Sequence, residues 1–221
     1  MSELPQLPPD QLSLVVFGPG FGESIVVHAP PGEWLVVDSL VDPTGVNPAA
    51  KLLADHRAEP SALLLTHPHE DHAAGFDAFV AQWPGAKIGF LTAQVYSQRD
   101  RLSDPDYERS LRSGHAEHAA AAICDAWDRS SARKWDVSPG STMKLGEATI
   151  SVLGPSKRAL ESARKGKQVN PNVLSTPLAI SWQGTRLVLG ADLPAIGWGQ
   201  IARDLPQAST YDDGETRRYH N

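Results

Sequence analysis

Short apolar runs closed by glycine or proline recur along this chain and predict strands. Leu12–Phe17 is the first, ending at the turn Gly18-Pro19-Gly20-Phe21-Gly22. Ser24–His28 and Trp34–Asp38 flank Pro30-Pro31-Gly32 and predict a hairpin. Ala62–Leu65, Lys87–Leu91, Thr149–Leu153, Pro177–Trp182 and Arg186–Leu189 complete the strand set, the last two around the turn Gln183-Gly184. Helices fall between them. Asn47 before Pro48 is a cap residue ahead of a proline at the first helical position, and predicts a helix to about Ala58. A second helix is predicted over Ala73–Trp83. Asp104-Pro105 repeats the cap signal and opens a helix to about Arg129, with Leu111, Ala119, Ala122, Ile123 and Ala126 as its apolar stripe. A short helix is predicted over Ile196–Asp204. Strand pairs first and interleaved helices later predict a β-rich α/β domain over residues 12–205. Residues 1–11 read as a flexible lead and 206–221 as a mobile polar tail.

Composition narrows the function classes. The 221 residues suffice for one domain with a sizeable core. No apolar run approaches a membrane span, and Met1-Ser2-Glu3-Leu4-Pro5 is not a secretory signal, so a cytoplasmic setting is expected. The single cysteine, Cys124, excludes an internal disulfide framework and reads as a buried structural thiol. A net charge of −6 argues against a broad nucleic-acid footprint, although bound divalent cations would reverse the sign locally. The densest basic segment, Lys157, Arg158, Arg164, Lys165 and Lys167, reads as a solvated helix face or loop.

The chemistry concentrates directly after the apolar run Ala62–Leu65, in Thr66-His67-Pro68-His69-Glu70-Asp71-His72. Imidazole nitrogens and carboxylate oxygens are ligands that zinc prefers. In an extended loop alternate side chains point the same way, so His67 and His69 can share one metal. Asp71 and His72 follow where the chain turns into a helix, and can face a second metal close by, as a two-metal hydrolase requires. Far downstream, Val188-Leu189-Gly190-Ala191-Asp192 runs from a strand through a glycine to an acid. Its carboxylate could bridge two metals, the glycine allowing close backbone approach; the alternative is a helix cap ahead of Leu193-Pro194. Asp38, at the tip of another strand, is placed to orient a metal-bound histidine from behind.

Thr66-His67-Pro68-His69-Glu70-Asp71-His72-Ala73-Ala74-Gly75 resembles the THxHxDHxxG signature of the metallo-β-lactamase-fold hydrolases. Phe21-Gly22-Glu23-Ser24 and Trp34–Asp38 resemble that superfamily's opening strands and first motif acid. Asn170-Pro171-Asn172-Val173-Leu174-Ser175, two strands and then Gly190-Ala191-Asp192 resemble the branch related to DNA-uptake competence proteins. The resemblance implies an αβ/βα sandwich of two mixed sheets flanked by helices, with a metal pair, usually zinc, at one edge. Carried over by position, His67 and His69 bind the first metal, Asp71 and His72 the second, Asp192 bridges, and Asp38 supports the ligands. Manganese or iron are the alternative metals.

The family also supplies a further histidine to each metal. In the competence-like branch the last lies in a His-His-Gly-Ser stretch after the bridging acid. After Asp192 this chain has only His220, without that context. The resemblance therefore implies either a copy that stops before the motif, with an incomplete C-terminal half, or a weakly held second metal. For the first metal, His115 and His118 are the candidates, but their helical setting favours an ordinary surface or partly buried histidine. His28 and His56 have no motif context.

The function expected is hydrolysis by a metal-bound hydroxide at a dinuclear zinc site, with Asp71 orienting the water. The substrate is a small molecule or a phosphodiester; the competence-like features favour phosphodiester or nucleic-acid chemistry, and the net charge opposes it. Two rival readings remain: a mononuclear iron oxygenase, and a non-catalytic regulatory module that keeps its metal for structure.

Overall fold

The structure is a computed structural model and describes residues 5–18, 22–91, 94–95, 115–129, 133–135, 137–165 and 169–204. Among the described residues ten strands form two sheets. The first runs in spatial order through β1 (Ser13–Phe17), β2 (Ser24–Ala29), β3 (Glu33–Val37), β4 (Ala62–Leu65), β5 (Lys87–Phe90) and β6 (Lys134–Trp135). β1, β2 and β3 pair antiparallel; β3 to β6 pair parallel. The second is an antiparallel meander of β7 (Thr142–Leu145), β8 (Ala148–Val152), β9 (Leu178–Trp182) and β10 (Thr185–Leu189).

Parallel strands need crossovers, and these carry helices. α1 (Pro48–Asp55) joins β3 to β4; α2 (Glu70–Ala73) and α3 (Phe76–Gln82) join β4 to β5; α4 (His115–Arg129) precedes β6. α5 (Lys157–Arg164) and α6 (Ala195–Asp204) lie in the C-terminal half. Among the described residues no helix is long and apolar enough to cross a membrane.

The period of two along the central strands explains why they read as unbroken apolar runs. Val26, Trp34, Val36, Leu63 and Leu65 point to the helices, packing with Leu52, Phe76, Phe79, Ile123 and Cys124. Their neighbours Ile25, Val27, Leu35, Val37 and Leu64 point the other way, against Leu145, Ile150, Val152, Leu178 and Ile180 of the second sheet. Two cores thus share the first sheet as a common wall, and Cys124 is buried in one of them, as its apolar neighbours predict.

The predicted α/β sandwich of two sheets flanked by helices is what the chain forms. Asn47 caps α1 through its side chain, accepting from the amides of Ala49 and Ala50, although the helix ends at Asp55, short of Ala58. The single helix predicted over 73–83 is two, because Gly75 takes φ 81° between them. A Cβ there would lie 2.9 Å from Val41 Cγ2 and in a left-handed conformation, so only glycine serves. The Gln183-Gly184 hairpin turn holds, with φ 46° and 77°. β6 and β7 are not among the predicted strands; of the two readings of the basic segment, the helix face holds, since α5 places Lys157, Arg158 and Arg164 exposed on a helix capped by Ser156. The predicted helix start at Asp104-Pro105, with Leu111, and the tail 206–221, with His220, lie outside the described residues.

Candidate metal centre

The histidine segment leaves the end of β4 and is stitched to three neighbours by backbone hydrogen bonds. Ser39 N donates to His72 O at 2.8 Å, Glu23 N to Asp71 O at 3.0 Å, and Thr176 N to Thr66 O at 3.1 Å. Ser39 Oγ also donates to Ala74 O at 2.6 Å. The loop is therefore held by the ends of β2 and β3 and the segment entering β9, in addition to its own turns, in which His69 N donates to His67 O and His72 N to His69 O.

Behind it sits Asp38, fully buried just past β3 with φ 57°, a left-handed conformation that aspartate tolerates better than most residues. Its Oδ1 accepts from Thr66 N at 2.7 Å. Its Oδ2 accepts from Thr66 Oγ1 at 2.7 Å and faces His72 Nδ1 at 2.8 Å. Burial pushes the Asp38 carboxyl up, and the bonds from His72 and Thr66 oppose that.

These bonds settle where the protons are. A carboxylate beside His72 Nδ1 requires that nitrogen to donate, so in the neutral ring Nε2 carries the lone pair. Thr66 Oγ1 spends its single proton on Asp38, so its contact with His67 Nδ1 at 3.1 Å must be accepted by the hydroxyl. His67 Nδ1 is then the donor and His67 Nε2 the bare lone pair. That Nε2 is buried and has no hydrogen-bond partner. Burial, then the neighbouring His72 and His69, push the His67 imidazole down to about 2, so the ring stays neutral. Burial would also lower His72, but the Asp38 hydrogen bond and the charges of Asp38, Asp192 and Asp71 outweigh it and raise that ring to about 9.

Asp192 arrives from the other sheet. Beyond β10 the chain turns at Ala191, φ 45°, and aims the carboxylate at the histidines. Asp192 Oδ1 lies 3.3 Å from His72 Nε2, and Oδ2 lies 3.9 Å from His67 Nε2. Two atoms bound to one tetrahedral zinc at 2.0–2.1 Å lie about 3.3 Å apart, so one oxygen faces each ring at or slightly beyond that spacing. Asn172 Nδ2 approaches Oδ2 at 3.4 Å from the 3₁₀ turn Pro171–Leu174. The close-approach reason predicted for Gly190 does not apply: a Cβ there would meet only Trp198 Cζ2, at an ordinary 3.5 Å.

The ring of His69 lies 4.4 Å from that of His67, and Asp71 Oδ2 lies 3.9 Å from His72 Nε2. The predicted residues His67, His69, Asp71, His72 and Asp192 therefore gather at one place, with Asp38 beneath them. His67, His72 and Asp192 have ligand atoms mutually close enough to hold one ion, and so have Glu23, Asp38 and His72. His118 is exposed on α4. His28 is buried against Trp34, with ring centroids 4.6 Å apart, and the His56 ring lies 5.3 Å from the same Trp34, in a separate aromatic group. An open cleft of about 650 Å³ is lined by Val16, Phe17, Gly18, Gly22, Glu23, Asp71, His72 and Asp192. Glu23 was given no role in the sequence reading, since one acid beside glycines has no informative spacing. Burial, then Asp38, raise its carboxyl above the usual range.

Curated relatives match over limited segments. A hydroxyacylglutathione hydrolase of Glaesserella parasuis is 44% identical over 72 residues, covering 33% of this chain and 30% of that protein. One from Legionella pneumophila is 31% identical over 61 residues, covering 25% and 24%. The chain thus spans less than a third of the length of the curated relatives it matches. Among solved structures, the FEZ-1 metallo-beta-lactamase from Legionella gormanii aligns over 90% of this chain and 72% of its own, at 18% identity and a TM-score of 0.49. The SMB-1 metallo-beta-lactamase bound to 2-mercaptoethanesulfonate aligns over 78% and 58%, at 19% identity and a TM-score of 0.47. These relatives do not support the competence-protein branch. The model of the Metallo-beta-lactamase superfamily matches residues 17–159, a span that holds Asp38 and the whole histidine segment and exceeds half the chain. The chain belongs to the metallo-beta-lactamase superfamily.

Proposed function

We propose that this chain is a metal-dependent hydrolase with two zinc positions, acting on a small acyl compound. The observation that carries the reading is the buried, partnerless Nε2 of His67 facing a carboxylate oxygen of Asp192. A buried lone pair with no donor, facing a carboxylate oxygen, is left unpaired unless a cation lies between them. The donor set fits zinc: His67 and His72, each held through Nδ1 with Nε2 turned to Asp192, together with carboxylates. His67 and His69 would hold the first ion, Asp71 and His72 the second, and Asp192 both.

Bound zinc supplies Lewis acidity and makes water acidic enough to deprotonate near neutral pH. The chain's own residues do the rest. Asp38 fixes the proton on each ring so that Nε2 faces the cleft. Asp71 accepts a hydrogen bond from the attacking water and orients it. Val16 and Phe17 offer an apolar wall for the substrate body. No serine or cysteine nucleophile is required, and Cys124 is far from use, buried in the helix-side core.

The substrate class follows from charge and relatives. The cleft lining carries Glu23, Asp71 and Asp192 and, among the described residues, no lysine or arginine. With no lysine or arginine in that lining a polyanion has no cationic clamp beyond the metal itself, and the curated relatives are named hydroxyacylglutathione hydrolases, which favours a small acyl ester or thioester. A phosphodiester is the competing substrate. The test is metal content together with thioesterase, esterase and phosphodiesterase turnover for the intact chain and His69→Ala. We expect bound zinc and acyl turnover that falls at least about 10²-fold in the variant, the scale of losing one strong electrostatic stabiliser. Equal turnover in both proteins, or a chain that takes up no metal, ends the proposal.

A further inference from the structure

Glu23 is the cleft residue that neither the motif nor the mechanism uses. It stands at the entry to β2 and is fixed there by the backbone. Its amide donates to Asp71 O at 3.0 Å. The preceding Gly22, φ 103°, brings the chain so close that a Cβ would sit 2.8 Å from the same carbonyl. Glu23 and Asp71 are thus locked side by side on one wall of the cleft, with His72 and Asp192 completing it.

Resting on the metal-dependent reading, we infer that Glu23 is a ligand of the second metal position, completing a set with Asp71, His72 and Asp192. A divalent zinc or manganese ion takes four or more donors, and Asp71, His72 and Asp192 provide three. A ligand oxygen of Glu23 lies within 4.8 Å of a ligand atom of both His72 and Asp38, and Glu23 reaches Asp71 and Asp192 as neighbours in the lining of one cleft. The bare, buried His67 nitrogen turned to Asp192 marks the adjoining first position, and buried His72 is common to that group and to the group that contains Glu23. The consequence is asymmetry: the first position is nitrogen-rich, from His67 and His69, and the second is oxygen-rich, with three carboxylates to one imidazole. Oxygen-rich sites suit manganese and similar cations; imidazole-rich sites suit zinc.

The experiment is metal binding by the intact chain, with zinc titrated against a chromophoric chelator and manganese followed by the electron paramagnetic resonance of the free ion. Wild type is expected to take two equivalents, the second exchangeable for manganese. Glu23→Gln should keep the first equivalent, which also reports that it is folded, and bind the second at least about tenfold more weakly. Glu23→Asp, carrying the charge on a shorter arm, should fall between, and serves the comparison if the glutamine variant does not fold. Glu59→Gln, an exposed acid elsewhere, should match wild type. Second-equivalent affinity unchanged in both Glu23 variants, or a wild-type chain that takes one equivalent only, overturns the assignment of Glu23. A wild-type chain that binds no metal overturns the hydrolase reading itself.

Discussion

The two sheets deliver parts of one cleft but are built to different standards. β2, β3 and β4 are covered on both faces, so Leu35, Leu63, Leu64 and Leu65 are fully buried. The second sheet buries its inner face, and its outer face only locally, at Ala179. Along β8, Ala148, Ile150 and Val152 point inward between half-exposed Thr149 and Ser151, and Val188 of the edge strand β10 is 53% exposed. The residues each sheet contributes differ in the same way. Asp38, His67 and His72 are buried and tied by short hydrogen bonds, whereas the Asp192 side chain is 38% exposed and reached at 3.3–3.9 Å. Proton placement is settled in the rigid half, and the cleft's solvent-facing acid comes from the half with room to adjust.

The contrast can be broken most directly in the shared wall. Leu64→Ala should destabilise the chain by about 2–5 kcal/mol, since neither neighbouring layer can collapse into the space; urea unfolding midpoints measure it, and a loss below about 1 kcal/mol would mean the wall is looser than its burial indicates. Next come the two acids. Asp38→Asn should weaken zinc binding about 10–100-fold and also lower the unfolding midpoint, because it disturbs a buried network. Asp192→Asn should weaken zinc binding without lowering the midpoint of the metal-free chain. Calorimetry and melting of both variants check this, and a shared stability loss would erase the distinction.

The metal-free chain should also show an unusual pH profile. The folded His72 sits at about 9 and His67 at about 2, against an unfolded value near 6.5. Between pH 6.5 and 9 the folded state keeps a proton on His72 that the unfolded state has lost, so stability falls as pH rises. Below 6.5 the unfolded state gains a proton that folded His67 refuses, so stability falls as pH drops. These two rings contribute to each limb a slope of at most about 1.4 kcal/mol per pH unit, and by themselves place a maximum near pH 6.5. Urea midpoints across pH 5.5–9 test it, and a flat profile would contradict the ring assignments. Asp38→Asn should remove the alkaline limb. Smallest of all, Val188→Ala on the open face should change stability by less than about 0.5 kcal/mol.

How much of this was legible depends on which signal each part carries. The central strands are visible because burial on both faces leaves no polar interruption in Ala62–Leu65 or Trp34–Val37. The histidine segment is visible because its residue types are rare and closely spaced. β7 is not, since Thr142, Met143 and Lys144 are exposed or half-exposed and only Leu145 is buried. Gly75 could have announced the break between α2 and α3, but a glycine within an apolar helical pattern has several readings. The long-range facts were out of reach. That Glu23 stands beside Asp71, and that Ala191 rather than Gly190 makes the turn, follow from how separate strands meet.

Asp38 holds the key protons on two rings at once, His72 directly and His67 through the Thr66 hydroxyl. One change at Asp38 therefore removes the support of both rings at once. Across related sequences, replacement of the acid at 38 should covary with loss of both imidazoles together, and seldom with one alone.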